Sequence, residues 1–337
     1  MDTYVNQKSS NKLVFKTALW LLGISLVALM VHFAGWENIL ASVRSVHPSF
    51  LLLLCTLQVG TLALSTYQLY YLMKCSGTAL PFMKVFSIYM TGHLVENITP
   101  SLKFGGEAVK VYLLKKHTRS NYKQIAGVFL VYKLVSLLPF LVILLVSASL
   151  VYWRLDIHAW IYAGVLAFSV LMVGALCIGL KKMGKRMPKP IAKIGNFLGQ
   201  AAHHARQVLN KKQFVQMMAI SCFIWLAYPL KLYMIAMLLG IQIPFIILAP
   251  ILYVGYMISM LPLAPGGLGS FEGSMVLMLS RTAVSIPDAW AAVLLLRFIT
   301  YWFSLFLSTL FAALLLLGTR KQTFQTWPVA RQTWDRK

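Results

Sequence analysis

Acid is what this chain has least of. Only 8 of its 337 residues are Asp or Glu, against 31 Lys and Arg. Charged residues of both signs make up 12% of the chain and hydrophobic residues 59%; mean hydropathy is +0.74. A soluble enzyme needs a charged surface that this composition cannot supply, so an all-α polytopic membrane protein is expected. Cysteine is scarce too. Cys55, Cys75, Cys177 and Cys222 lie in or beside apolar runs with no CxxC pair, so they read as small core hydrophobes rather than a disulfide framework or metal site. His203 and His204 are adjacent, point to different faces of a helix, and give no metal signal. There is no P-loop, no DxD-like acidic pair and no nucleophile–base pair. No cofactor is expected, and no ATP motif is present, so any transport would be downhill or ion-coupled.

Bases are what the loops hold. The formal charge of +23 falls in short connections between apolar runs, where Lys and Arg set topology and meet anionic lipid; nucleic acid is not the expected partner. Six runs are long enough, at ~20 residues, to cross a bilayer: about 13–34, 49–73, 125–151, 159–180, 214–239 and 289–317. The first is too long for a signal-peptide core and is expected to be retained. Two further apolar segments, about 80–117 and 243–285, carry Pro and Gly in their middle, where a spanning helix would lose backbone hydrogen bonds.

Loop charge fixes the expected orientation. The N-terminus (Lys8, Lys12, Lys16), the stretch after Tyr112 (Lys115, Lys116, Arg119, Lys123), the basic connection 181–213 and the tail (Arg320, Lys321) belong to the cytoplasm; the balanced loops at 35–48, around Asp156 and at 281–288 belong outside. These assignments hold only if 80–117 enters from the cytoplasm and returns to it, and 243–285 does the same from outside. The expected architecture is therefore one transmembrane domain with about six full spans and two re-entrant hairpins in an inverted-topology repeat. Half one covers about 13–180, half two 214–317, and 318–337 is a cytoplasmic tail. The connection 181–213 places Ile191, Ile194, Leu198, Ala201, Ala205 and Val208 along one helical face and reads as a helix lying on the inner leaflet. The location is the cytoplasmic (inner) membrane, with both termini inside.

The two hairpins share a vocabulary. "NITPSLKFGGEAVK" holds Thr99, Pro100, Lys103, Gly105, Gly106, Glu107 and Lys110; "MLPLAPGGLGSFEG" holds Pro265, Gly266, Gly267, Gly269 and Glu272. A lone base follows each glutamate one span later: Lys133 after Glu107 by 26 positions (133 − 107) and Arg297 after Glu272 by 25 (297 − 272). Pro is expected to end the entering arm, and Gly to leave backbone N–H groups bare at the positive end of the returning helix, which suits a phosphate. A charge at mid-bilayer costs about 2.5–3.5 kcal/mol on insertion scales. His93, Glu96, Lys103, Glu107, Lys110, Lys133, Lys231, Glu272 and Arg297 are thus expected to face a shared polar interior. Lys103, Lys133 and Arg297 are the candidates for phosphate contact. Glu107 and Glu272 orient those bases or meet an amine or hydroxyl of a headgroup. Bland roles stand beside these: Glu107 and Lys110, three apart on a helix, can simply pair; Lys110 can snorkel; Lys231, after Pro229, can line the cavity or bond carbonyls freed by the kink.

The motifs "NITPSLKFGGE" and "LPLAPGGLGSFEG", each with a base one helix later, resemble the lysylphosphatidylglycerol synthase transmembrane-region family, whose members include the flippase portion of MprF proteins and standalone membrane proteins. The resemblance covers about 13–317. It implies a polytopic inner-membrane protein that moves a lipid, often an aminoacylated or glycosylated anionic derivative, between leaflets. Two departures matter. Bifunctional members carry a soluble aminoacyl-transferase domain after the membrane part, whereas this sequence runs about 20 residues past its last span (337 − 317), so enzyme activity is not expected. The family often has Arg where this chain has Lys133, which weakens bidentate phosphate binding there. The expected function is a lipid translocase for an anionic phospholipid or polyprenyl-phosphate-type lipid. The alternative is a membrane-embedded transferase, or an accessory subunit, in lipid-linked glycan or aminoacyl-lipid synthesis. A homo-oligomer and a lipid-synthesis enzyme both stay open as protein partners.

Overall fold

The computed structural model describes residues 46–99, 104–118, 120–155, 209–260 and 264–321, with the isolated positions Glu37, Arg44, Gly164 and Ala167. The expected spans at 13–34 and 159–180 and the linker up to 208 lie outside the described residues, as do Pro100 and Lys103. What is described is helical, with no strand. In chain order the helices are α1 Pro48–Cys75, α2 Phe82–Ile98, α3 Phe104–His117, α4 Tyr122–Leu155, α5 Lys211–Leu238, α6 Phe245–Ser259, α7 Ser270–Leu279, α8 Ile286–Arg297 and α9 Ser304–Lys321. A π-helical turn, Phe298–Phe303, joins α8 to α9. Four units are long and apolar enough to cross a membrane: Pro48–Cys75, Tyr122–Ser147, Lys211–Leu238 and Ile286–Leu317. Large apolar side chains cover the outside, among them Leu52, Phe223, Phe306 and Leu316, as a lipid-facing surface requires.

The local code repeats. α1 and α5 are both 28 residues long and start 163 positions apart (211 − 48). Each is followed by a glycine at positive φ, Gly77 (72°) and Gly240 (71°). There the chain closes a Schellman motif: Thr78 N–H donates to Met73 O and Gly77 N–H to Lys74 O, matched by Ile241 to Ala236 and Gly240 to Met237. Then Pro81 and Pro244 cap the next helices with nearly the same backbone, φ/ψ of −56°/140° and −59°/140°. Ten residues into those helices stand Gly92 and Gly255. Adding a Cβ to Gly92 would drive it into Lys110 and the Gly106 carbonyl; at Gly255 it would meet Met275 and Phe271. Small residues at these points let the arms of each pair, α2/α3 and α6/α7, approach closely.

Packing between elements follows the same exchange. α2 lies against α9, the span after the second pair of short helices, and α6 lies against α4, the span after the first. α1 contacts α2 and α4; α5 contacts α6 and α8; and α1 and α5 contact one another. The short helices have 17, 14, 15 and 10 residues. At 1.5 Å per residue they reach about 15–26 Å, short of the ~30 Å hydrocarbon core. The start of α4 also returns to the end of α1: Gln124 Nε2 donates to Ser76 O at 2.8 Å.

Three seams hold the bundle. Trp225 of α5 donates from its indole to Ser136 O of α4 at 2.8 Å, and Tyr253 of α6 donates to Trp225 O at 2.9 Å, around the buried Phe140. Leu69, Leu72, Val85, Ile88, Met90 and Val135 fill the first half; Leu232, Ile251, Leu252, Phe271, Met275 and Leu296 fill the second. Two spans carry a ladder defect in comparable places, Pro139 inside α4 and the π-helical turn between α8 and α9. Each frees backbone groups that a straight helix would tie up.

Candidate functional site

Two glutamate–base pairs stand at the ends of the short helices. In the first half Glu107 sits in the opening turn of α3 and Lys133 lies on α4; Lys133 Nζ is 2.7 Å from Glu107 Oε1. In the second half Glu272 sits in the opening turn of α7 and Arg297 closes α8; Arg297 Nε donates to Glu272 Oε1 at 2.6 Å. The acid and the base that the sequence spaced 26 and 25 residues apart meet in both halves.

Their surroundings differ. The first pair belongs to a network. Lys110 Nζ donates to Glu107 Oε1 at 3.1 Å and to Glu96 Oε2 at 3.5 Å, and lies 4.6 Å from the Tyr89 ring centroid. His93 Nδ1 is 4.0 Å from Glu96 Oε2. Lys110 is 2% exposed, so it is buried beneath its two carboxylates and does not snorkel. Lys133 is 43% exposed. Glu107 Oε2 is buried with no hydrogen-bond partner among the described residues.

The second pair is closed. Glu272 and Arg297 are 2% and 7% exposed. Arg297 Nη2 donates to Gly266 O at 3.0 Å, and the guanidinium lies 4.5 Å from the Phe271 ring centroid and 4.9 Å from that of Tyr301. Glu272 Oε2 accepts from Gly269 N–H at 2.7 Å, so the start of α7 is capped by its own glutamate. Removing one partner of a buried pair of this kind costs about 3–5 kcal/mol.

The glycines also divide into two kinds. Gly266, Gly267 and Gly269 have φ of 60°, 68° and 79°, a backbone that an L side chain rarely adopts. They build a true reversal, with Pro265 opening a 3₁₀ turn. Gly105 and Gly106 lie within α3 instead, and Gly106 is not at positive φ. A Cβ on Gly106 would collide with the Gly92 carbonyl and with Glu96. Its smallness therefore serves the α2/α3 crossing, and its place in the opening turn of α3 is one where backbone N–H groups lack intrahelical acceptors. Thr99 caps α2, its hydroxyl donating to Val95 O at 2.7 Å.

The two tips touch. α2 packs against the Pro265–Gly267 turn, and Tyr301 OH, in the π-helical turn, donates to Asn97 O near the end of α2 at 3.3 Å. Lys231 lies elsewhere, between α1 and α5. It is fully buried, donating to Gln58 Oε1 at 2.6 Å and to Thr61 Oγ1 at 3.2 Å, above the Tyr228 ring. Its hydrogen-bond partners are side chains of α1 rather than kink-freed carbonyls. Gln58 Nε2 passes the chain on to Ser304 Oγ at 2.8 Å. The mate of the Lys231–Gln58 contact under the 163-position offset is Gln68 with Ser221 (231 − 163 and 58 + 163), at 2.7 Å. Gln58, Thr61, Tyr301 and Ser304 were missed by motif reading. A glutamine inside an apolar span is itself a signal for the first of them; Tyr301, in the aromatic run "FITYWF", gives none.

The sequence matches the model of the lysylphosphatidylglycerol synthase TM region over residues 20–308. The chain belongs to this family. It is a multi-pass membrane protein, and what it shares with the synthases is their membrane region. It is 25% identical over 306 residues to a UPF0104 membrane protein of Methanothermobacter thermautotrophicus, covering 84% of this chain and 90% of that one. A UPF0104 membrane protein of Pyrococcus horikoshii is 23% identical over 334 residues, covering 91% and 98%. One from Methanocaldococcus jannaschii is 22% identical over 310 residues, covering 86% and 92%. Among the described residues, no group of three His, Cys, Asp or Glu side chains could hold a metal ion.

Proposed function

We propose that this family member is a lipid translocase: it moves a phosphate-bearing lipid between leaflets through a polar interior at the two hairpin tips. The observation that carries this is the exchange of packing partners between the halves, α2 with α9 and α6 with α4, around two glutamate–base pairs. A molecule built of two interchangeable halves has two related arrangements available, one opening to each side, which is how inverted repeats alternate access. The helix lengths and the Gln124–Ser76 contact support reading α2/α3 and α6/α7 as re-entrant hairpins, and the basic loops favour the cytoplasmic side of the inner membrane for the first of these. The headgroup travels through the polar interior where the tips meet while its tails stay in hydrocarbon. An anionic phospholipid and a polyprenyl phosphate both fit that division.

The test is movement in proteoliposomes. Phosphatidylglycerol carrying NBD on one acyl chain is reconstituted with the protein, and dithionite reports the pool reachable from outside. The protein is expected to raise inner-to-outer exchange at least tenfold over empty vesicles. A rate equal to that of empty vesicles for phosphatidylglycerol, a polyprenyl phosphate and a zwitterionic phospholipid alike would remove the proposal.

A further inference from the structure

We infer that the headgroup site is one-sided: the lipid's phosphate is taken by Lys133 in the first half, next to a vacant oxygen of Glu107, while Glu272 and Arg297 brace the second tip and never touch the lipid. This rests on the translocase reading above, and it runs against the symmetry of the sequence, which offers Lys133 and Arg297 as equivalents.

Arg297 is spoken for and shut away. Its Nε donates to Glu272 and its Nη2 to the Gly266 carbonyl, the Phe271 and Tyr301 rings lie against the guanidinium, and 7% of the side chain is exposed. Glu272 in turn holds Gly269 N–H and sets its own carboxylate at the start of α7, where it repels a second anion. A phosphate reaching Arg297 would have to displace these contacts. Lys133 is in the opposite position. Its one ion-pair partner among the described residues is Glu107 Oε1, and 43% of its side chain is exposed. Lys110 bonds the same oxygen at 3.1 Å. When Lys133 swings toward a phosphate, Lys110 keeps Glu107 neutralised, so the exchange strands no charge. A long, flexible ammonium suits this better than a guanidinium fixed by geometry. Glu107 Oε2, buried without a partner, then accepts from a donor on the same headgroup, a hydroxyl or an ammonium. The lipid is thus a phosphodiester whose headgroup also donates a hydrogen bond. Lys110 and Glu96 are positioning residues in this scheme.

Binding and movement are read separately. Binding of acyl-chain NBD phosphatidylglycerol to the full chain in detergent is followed by quenching of its tryptophans. Lys133→Gln is expected to weaken binding tenfold or more with little change in thermal midpoint, and Lys133→Arg to stay within threefold of the wild type. The paired variant Glu272→Gln/Arg297→Gln, which removes both charges at once, is expected to lower the thermal midpoint and keep binding within threefold. Phosphatidylmethanol, a phosphodiester with no donor, should bind more weakly than phosphatidylglycerol by about the same factor in the wild type and in Lys133→Gln. Inorganic phosphate should bind at least tenfold more weakly than the lipid. Wild-type binding by Lys133→Gln, or tenfold weaker binding by a folded Glu272→Gln/Arg297→Gln protein, overturns the one-sided site. Equal binding of phosphatidylmethanol overturns the role of Glu107, and tighter binding of inorganic phosphate overturns a lipid headgroup as the occupant. Saturable, Lys133-dependent binding without movement in vesicles supports the site and removes the translocase.

Discussion

Among the described residues, the chemistry concentrates in four buried or half-buried cations, Lys110, Lys133, Lys231 and Arg297, and the groups that hold them. Lys231 is the extreme case. It has no ion-pair partner among the described residues and depends on the Gln58 carbonyl oxygen and the Thr61 hydroxyl. Removing the acceptor should therefore be worse than removing the charge. Gln58→Leu leaves an ammonium buried with one neutral partner and also frees Ser304, whereas Lys231→Met keeps the volume and leaves only neutral groups unsatisfied. The expected loss is about 2 kcal/mol or more for Gln58→Leu and clearly less for Lys231→Met, read as thermal or denaturant midpoints in mild detergent. Equal midpoints for the two variants would mean that Lys231 is not held as an ammonium. At this scale the sequence was a good guide to which charged residues pair. Glu107, Lys133, Glu272 and Arg297 stand out because charge is rare in an apolar chain. What it could not show is how they divide their bonds. The same acid-then-base spacing yields an accessible pair in one half and a sealed one in the other, since that depends on Gly266, Phe271 and Tyr301 closing around Arg297.

At the scale of elements, glycine marks three different situations, and substitution separates them. Gly92 and Gly106 face each other where α2 crosses α3, with backbone carbonyls in the way of any added carbon. Gly92→Leu and Gly106→Leu should each cost about 3 kcal/mol or more, because overpacking against backbone has no flexible side chain to yield. Gly266→Ala meets both a left-handed backbone, worth about 1–2 kcal/mol, and the Tyr301 ring. Gly60, inside α1, has nothing within 4 Å of an added Cβ. Gly60→Ala should be neutral or stabilising by about 0.5–1 kcal/mol. Fluorescence-detected thermal melts of the four variants in one detergent check the order. If Gly60→Ala destabilises as much as Gly106→Leu, the assignment of Gly106 to helix crossing fails. From sequence, "FGGE" and "PGGLG" look like the same device. Two or three residues of spacing decide otherwise: in the second motif the glycines come before the helix and form its turn, and in the first they fall inside it. That each of these apolar segments is interrupted was legible from its cluster of Pro and Gly; the helices on either side of the break are Phe82–Ile98 and Phe104–His117 in the first and Phe245–Ser259 and Ser270–Leu279 in the second.

At the scale of the whole molecule, the account stands on two halves of opposite orientation. The recurrence of local structure was open to view in the amino acids, in Gly77 and Gly240, Pro81 and Pro244, Gly92 and Gly255, but the exchange of packing partners was not, because α2 against α9 and α6 against α4 are contacts between distant parts of the chain. Such a repeat works as an alternating-access device only if each pair of short helices returns to the side it came from, and if those sides are opposite. Single cysteines in a background with the native four replaced measure this directly. Ala79→Cys and Ser120→Cys flank the first pair of short helices; Gln242→Cys and Arg281→Cys flank the second. With a membrane-impermeant maleimide on intact cells and on inside-out vesicles, the first two should label from the cytoplasm only, and the last two from the opposite face only. If the two members of either pair label from different faces, that segment crosses the membrane, and the inverted repeat and the transport mechanism built on it are contradicted.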